Sequence, residues 1–315
     1  MPMTDQRRAL LQIHFCVVLW GFTAILGKLI TLPALPLVWW RMLIVVAALA
    51  LVPRIWRGVR AMPARLRWAY AGIGVLVALH WLTFYGAIKL SNASVAATCI
   101  ALATVMTALV EPWLARTRMS RREIALGIAV LPGVALVVGG VPGEMRLGIA
   151  VGAVSALLVA LFSSLNKRLV EHGDPLTVTA LELGAGTLAL TVLAPAMPFV
   201  PGLADAFAGD LFVMPGGRDA AFLLTLALAC TLLPFALSLA ALRHMSAFTA
   251  QLAVNLEPVY AIALAALLLG EQHELTPRFY LGVVVILAAV LVHPLISRRG
   301  VRPELLATAE ARDLD

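Results

Sequence analysis

The chain has 315 residues, of which 62% are hydrophobic and 13% charged, with a net charge of +7. Roughly 195 apolar positions supply nine or ten membrane spans at about 20 residues each, which excludes a water-soluble domain. Scarce charge and the lack of a three-residue glycine period exclude disordered and collagen-like chains, and no soluble stretch is long enough to build a basic face for nucleic acid.

Hydropathy and breaker residues predict ten spans. The first, 11–31, is long enough to cross, and no small-residue cleavage pattern follows it, so it reads as a retained anchor. Trp20 stands near its centre beside Gly21, either as an apolar wall for a substrate or as bundle filling. The second, 36–54, carries Arg41, read as a structural ion-pair partner or a snorkelling cation. His80 is at the centre of the third, 69–90, where it either meets a substrate or proton or makes an interhelical hydrogen bond; Tyr85 follows as a weaker lining candidate. The fourth, fifth and sixth are 92–114, which includes Thr104, then 123–139 and 147–167. The seventh, 175–197, holds Glu182, a candidate partner for Arg41, and the eighth is 220–242. The ninth, 245–269, centres on Glu257, with Asn255 before it and Pro258 and Tyr260 after it. The tenth is 277–297. An ionisable group at the bilayer centre costs roughly 2.5–3.5 kcal/mol on insertion scales, so Glu257 is the leading candidate for substrate or proton binding, against a helix-packing carboxylic acid. Cys16, Cys99 and Cys230 lie inside apolar runs as small hydrophobes, with no disulfide framework.

Positively charged loops stay in the cytoplasm, and with the N-terminus inside, 18 of the 24 lysines and arginines fall on the cytoplasmic side. The alternation supports ten spans with both termini cytoplasmic. Residues 85–93 lie over 239–247 at an offset of 154, matching Lys89 to Arg243, while Lys28 and Pro36 fall on Lys167 and Pro175 at 139. A five-helix unit used twice enters the membrane from opposite sides, and such inverted repeats suit secondary transport. The fold expected is an all-α polytopic membrane protein, ten transmembrane helices in two inverted repeats around a central cavity. The units are 1–143 and 144–297, with 298–315 a short cytoplasmic tail.

Trp20-Gly21, Pro36 with Arg41, Ala87 to Ala97, Glu257-Pro258, Gly270-Glu271 and Gly282 stand in the order and spacing of the EamA-type branch of the drug/metabolite transporter superfamily, which the chain resembles over about residues 11 to 297. The resemblance implies a ten-helix carrier with a cavity between its halves, exporting small metabolites such as amino acids from a bacterial inner membrane. The first half departs from the pattern: the repeat register puts Ala103-Thr104 opposite Glu257-Pro258 and Thr117 opposite Glu271, while Glu111-Pro112 is out of register.

An intramembrane enzyme would need convergent ligands or a nucleophile elbow, and neither spacing occurs among the six scattered histidines or the serines. A receptor or scaffold has no need of an inverted repeat. The reading is therefore a carrier, not an enzyme, without cofactor or metal, whose partners are a small-molecule substrate and the bilayer; the oligomeric state is left open by the sequence, which is compatible with a monomer. Its cavity is expected to be lined by Trp20, His80, Tyr85, Thr104, Asn255, Glu257 and Tyr260, with Glu257 or His80 coupling transport to protons. Nucleotide-sugar or lipid-like cargo is the alternative.

Overall fold

The structure is a computed structural model that describes residues 5–114, 121–199 and 204–297. Arg116, Thr117, Arg118 and the tail from Arg298 lie outside the described residues, as do the side chains of Arg122, Leu126 and His293. The described residues form helices and short connections, with no strand among them. In order the helices are α1 (Asp5–Leu29), α2 (Ala34–Ala50), α3 (Pro53–Ala61), α4 (Ala64–Leu90), α5 (Ala93–Ile100), α6 (Leu102–Leu114), α7 (Arg121–Gly139), α8 (Arg146–Leu169), α9 (Pro175–Leu193), α10 (Ala204–Phe207), α11 (Gly217–Ala227), α12 (Leu233–Leu242), α13 (Ala247–Val254), α14 (Glu257–Leu269) and α15 (Pro277–Ser297).

Each of the ten predicted segments overlaps helical chain, but seven or eight membrane spans, not ten, stand out among the described residues. Among the described residues seven stretches are long and apolar enough to cross a membrane: Asp5–Leu29, Ala64–Leu90, Ala93–Leu114, Gly143–His172, Pro175–Phe199, Gly217–Ala241 and Ala247–Leu269. An eighth is formed if α2 and α3 count as one span, although they meet at 93°. Pro53 causes that bend, because it has no N–H to continue α2 and forces Val52 into an extended conformation, φ −97° and ψ 108°. Within α7 and α15 the stretches Ile128–Gly139 and Pro277–Ala289 are apolar as well.

The core joins α1, α2, α4, α9 and α12 around fully buried residues such as Ile13, Leu37, Met42, Tyr70, Leu183 and Leu190. A second cluster holds α7 to α15 through Val130, Val137, Phe279 and Ile286. Large apolar side chains also point outward, among them Leu188, Val192, Leu267 and Leu268. On a soluble protein such a surface would be an aggregation hazard, and on a membrane protein it is the lipid-facing belt.

Two of the transmembrane stretches are broken in the middle. Pro258 removes the donor for the carbonyl of Val254 and its ring crowds that carbonyl, so α13 ends there and α14 restarts at Glu257. The matching break between α5 and α6 falls at Ala101, 154 residues before Asn255, and no proline or glycine causes it.

The ends of these broken stretches are tied to each other reciprocally. Glu271, just past α14, accepts the first backbone N–H groups of α5, from Ala93 (3.0 Å) and Ser94 (2.9 Å), and the Ser94 hydroxyl (2.7 Å). Glu111, at the end of α6, accepts the first N–H groups of α13, from Ala247 (3.0 Å) and Phe248 (2.8 Å). A carboxylate satisfies the orphan donors and the positive pole of a helix N-terminus where no water reaches them. The adjoining N-caps also correspond: Asn92 accepts from Val95 N–H, and Ser246 from Thr249 N–H. Lys89 donates to the carbonyl of Ile30 at the end of α1, while Arg243 donates to those of Val170 and Gly173 past α8.

Candidate functional site

The helices enclose a cavity of about 110 Å³, ample beside the roughly 10–15 Å³ a single water needs. Its walls come from α1, α2, α4 and α5 in the first half of the chain and from α8, α12, α13 and α14 in the second. Most of the wall is apolar, including Trp20, Trp81, Phe84, Phe162 and Phe235, with a few polar groups set into it. This is the usual make-up of a small-molecule site.

Arg41 is the polar group around which the local structure is organised. It sits on α2 at 2% exposure with its guanidinium 4.0 Å from the Trp81 ring centroid, a cation–π contact. Its Nε donates to Thr231 Oγ1 (2.5 Å), its Nη1 to the Tyr85 hydroxyl (2.9 Å) and its Nη2 to the carbonyl of Cys230 (3.5 Å). The two acceptors on the far side exist because the chain between α11 and α12 is a π-helical turn, Leu228–Leu232. Pro234 has no N–H to give the carbonyl of Cys230, four residues earlier, which leaves that oxygen open to Arg41. Thr231 bonds the carbonyl of Leu226, five residues back, and turns its oxygen towards the guanidinium. Such π-bulges recur at functional sites.

His80 lies between the rings of Phe84 and Phe162, 6.2 and 5.5 Å between centroids. Its Nδ1 is 3.2 Å from the carbonyl of Ser155 and 2.8 Å from the Ser155 hydroxyl, which also donates to the His80 carbonyl (3.0 Å). A carbonyl only accepts, so the network assigns the proton to Nδ1 and leaves Nε2 as the acceptor. Glu257 is 6% exposed, lines the cavity at the start of α14 and makes no side-chain hydrogen bond among the described residues. Trp20 stands on the wall contributed by α1.

Four of the expected lining residues lie off the wall. The Tyr85 ring fills the space left by Gly27, where an added Cβ would collide with it, and its hydroxyl serves Arg41 rather than the cavity. Thr104 and Asn255 bond each other (2.5 Å) and so stitch together the two broken stretches. Tyr260 is 40% exposed and packs its Cβ over Gly21; a step of three residues from Glu257 turns it about 60° off the line to the cavity. The expected Arg41–Glu182 pair is not formed either. Arg41 is held by neutral groups, while Glu182, fully buried on α9, accepts from Asn166 Nδ2 (3.3 Å). Among the described residues the ion pair present is Arg54–Asp174 (2.8 Å), at the surface.

Sequence reasoning missed Arg41 as a lining residue, together with Trp81, Phe84, Phe162, Asn166, Ser238 and Gln251. Gln251 carried a signal, an amide within an apolar run six residues before Glu257. The phenylalanines carried none, since nothing but the rotation of their helices separates them from lipid-facing ones.

A family model described as the EamA-like transporter family matches residues 7–139 and again 146–293. No curated protein matches the chain in sequence. Among solved structures, one titled "Crystal structure of protein" is similar over 94% of this chain and 99% of its own, with a TM-score of 0.65 and 17% identity, a likeness of fold.

Proposed function

The chain belongs to the EamA-like transporter family, a family of integral membrane transporters, and on that premise we propose that it is a secondary carrier exporting small amphipathic metabolites, amino acids foremost. The observation that carries this reading is the cavity itself, built from both matched halves of the chain, with Arg41 and His80 from one and Glu257 from the other.

The mechanism we propose is alternating access between two inverted five-helix units, 1–143 and 144–297, in a ten-span topology with both termini cytoplasmic in a bacterial inner membrane. The double family match, the helix breaks at Ala101 and Asn255, and the reciprocal carboxylate caps all support the repeat. The halves rock about the cavity, exposing it to one side and then the other, and Glu257 or His80 couples the cycle by taking up a proton in one state only. Among the described wall residues Arg41 is the one permanent cation, too few for a nucleotide diphosphate, so the nucleotide-sugar alternative gains nothing from the site.

The test is flux of a labelled amino-acid panel in proteoliposomes, with and without an imposed pH gradient. Flux above empty liposomes, accelerated by the gradient and slowed by Glu257→Gln or His80→Ala, is expected. Gradient dependence unchanged in Glu257→Gln removes that carboxyl from coupling, and no flux of any amino acid removes them as cargo.

A further inference from the structure

Resting on the carrier reading, we infer that Arg41 is the receptor for a carboxylate on the cargo and that Glu257 holds the cargo's ammonium, so that the cavity reads a zwitterion with an apolar side chain. A guanidinium buried to 2% exposure normally meets a carboxylate, because an uncompensated buried charge is costly. Arg41 has none within ion-pair distance among the described residues. Its three protein partners are a threonine hydroxyl, a tyrosine hydroxyl and a backbone carbonyl, all neutral. A guanidinium has five N–H donors, so two remain, on a side chain that lines the cavity.

Glu257 completes the argument from the opposite charge. It stands on the wall of the same cavity, buried and without a hydrogen bond of its own among the described residues. Two opposite charges facing one cavity would ordinarily collapse into a salt bridge. Here Arg41 is restrained by Thr231, Tyr85 and the stack on Trp81, and Glu257 is fixed at the first position of α14. The arrangement is preorganised for a ligand that carries both complementary charges a few ångströms apart, with Trp20 and Phe235 on the wall to take its apolar part. The planar fork of arginine suits a carboxylate in a way a lysine does not.

Isothermal titration of the detergent-purified chain with L-leucine, L-leucinamide, isocaproate and isoamylamine tests this. The acid is expected to bind roughly ten- to a hundredfold tighter than its amide, the range of one or two charge-assisted hydrogen bonds. In Arg41→Gln that ratio falls to about one, in Arg41→Lys it is intermediate, and Thr231→Val, which frees the guanidinium without touching cargo, lowers it. Glu257→Gln is expected to erase instead the preference for leucine over isocaproate. Melting temperatures of the unliganded variants report folding, and the leucine-to-leucinamide ratio of the unmodified chain decides the matter even if a variant fails to fold. Equal binding of acid and amide overturns the inference, as does binding of none of the four or a ratio unchanged in Arg41→Gln. A ratio near one with flux intact defeats this inference and spares the carrier; a high ratio without flux does the reverse.

Discussion

Replacing Glu271 with alanine is expected to destabilise the protein by about 3–6 kcal/mol. The carboxylate accepts two backbone N–H groups at the start of α5 and the Ser94 hydroxyl, and those groups are buried. Without it they have no water to turn to, and each unsatisfied buried donor costs roughly 1–3 kcal/mol. Glu271→Gln is expected to be nearly as damaging, because the amide turns one acceptor into a donor aimed at N–H groups. Glu111→Ala loses two backbone bonds at the start of α13 and should cost somewhat less. The two caps sit at opposite ends of α5 and α6, roughly 30 Å apart at 1.5 Å per residue, so the double substitution should be close to additive. Thermal unfolding in detergent measures all four. A loss below about 1 kcal/mol for Glu271→Ala would mean that the N-terminus of α5 is satisfied by other means.

The order and approximate limits of the helices are legible in the sequence because apolar runs separated by proline, glycine and arginine leave little choice. The bend at Pro53 and the break at Pro258 follow from a missing N–H and a ring clash, both local. The break at Ala101 has no such local cause, and at the π-helical turn Leu228–Leu232 Pro234 frees the carbonyl of Cys230 without fixing what that oxygen meets. They make sense only when the partner is in view, Asn255 bonding Thr104 in one case and Arg41 bonding Thr231 in the other.

Depth in the membrane can be read from position along a span, and azimuth cannot. Trp20, His80 and Glu257 were found by their chemistry in mid-span, and the cavity wall includes all three. By depth alone Arg41 reads as an ion-pair or snorkelling cation, whereas its rotation about α2 turns it inward onto Trp81. Tyr85 and Phe84 are neighbours on α4, yet Phe84 faces the cavity and Tyr85 faces α1. Register misleads in a related way for Glu111. It stands 160 residues before Glu271, not 154, yet it caps α13 as Glu271 caps α5, because a carboxylate displaced along the backbone still reaches the same helix end.

The other large effect is expected at the crossing of α4 and α9. A Cβ added at Gly74 would lie 2.6 Å from the carbonyl carbon of Glu182 and 2.7 Å from its Cα, and one added at Gly186 would lie 2.7 Å from the carbonyl oxygen of Gly74. At Gly74 the obstacle is backbone on backbone, with no flexible side chain to swing aside, so the helices must separate. Small residues at such a crossing are what let membrane helices approach this closely. Gly74→Val should therefore cost more than about 3 kcal/mol, beyond the usual range for overpacking, and Gly74→Ala somewhat less. Gly184, on the same helix α9, has nothing within 4 Å of an added Cβ, so Gly184→Ala should be neutral or stabilising by up to about 1 kcal/mol through helix propensity. Melting temperatures of the three variants separate close approach from a general intolerance of bulk. If Gly74→Ala is as stable as Gly184→Ala, the crossing is not tight. If it is unstable, the damage should reach the cavity, because α4 carries His80 less than two turns beyond Gly74 and its bond to Ser155 depends on where α4 lies against α8.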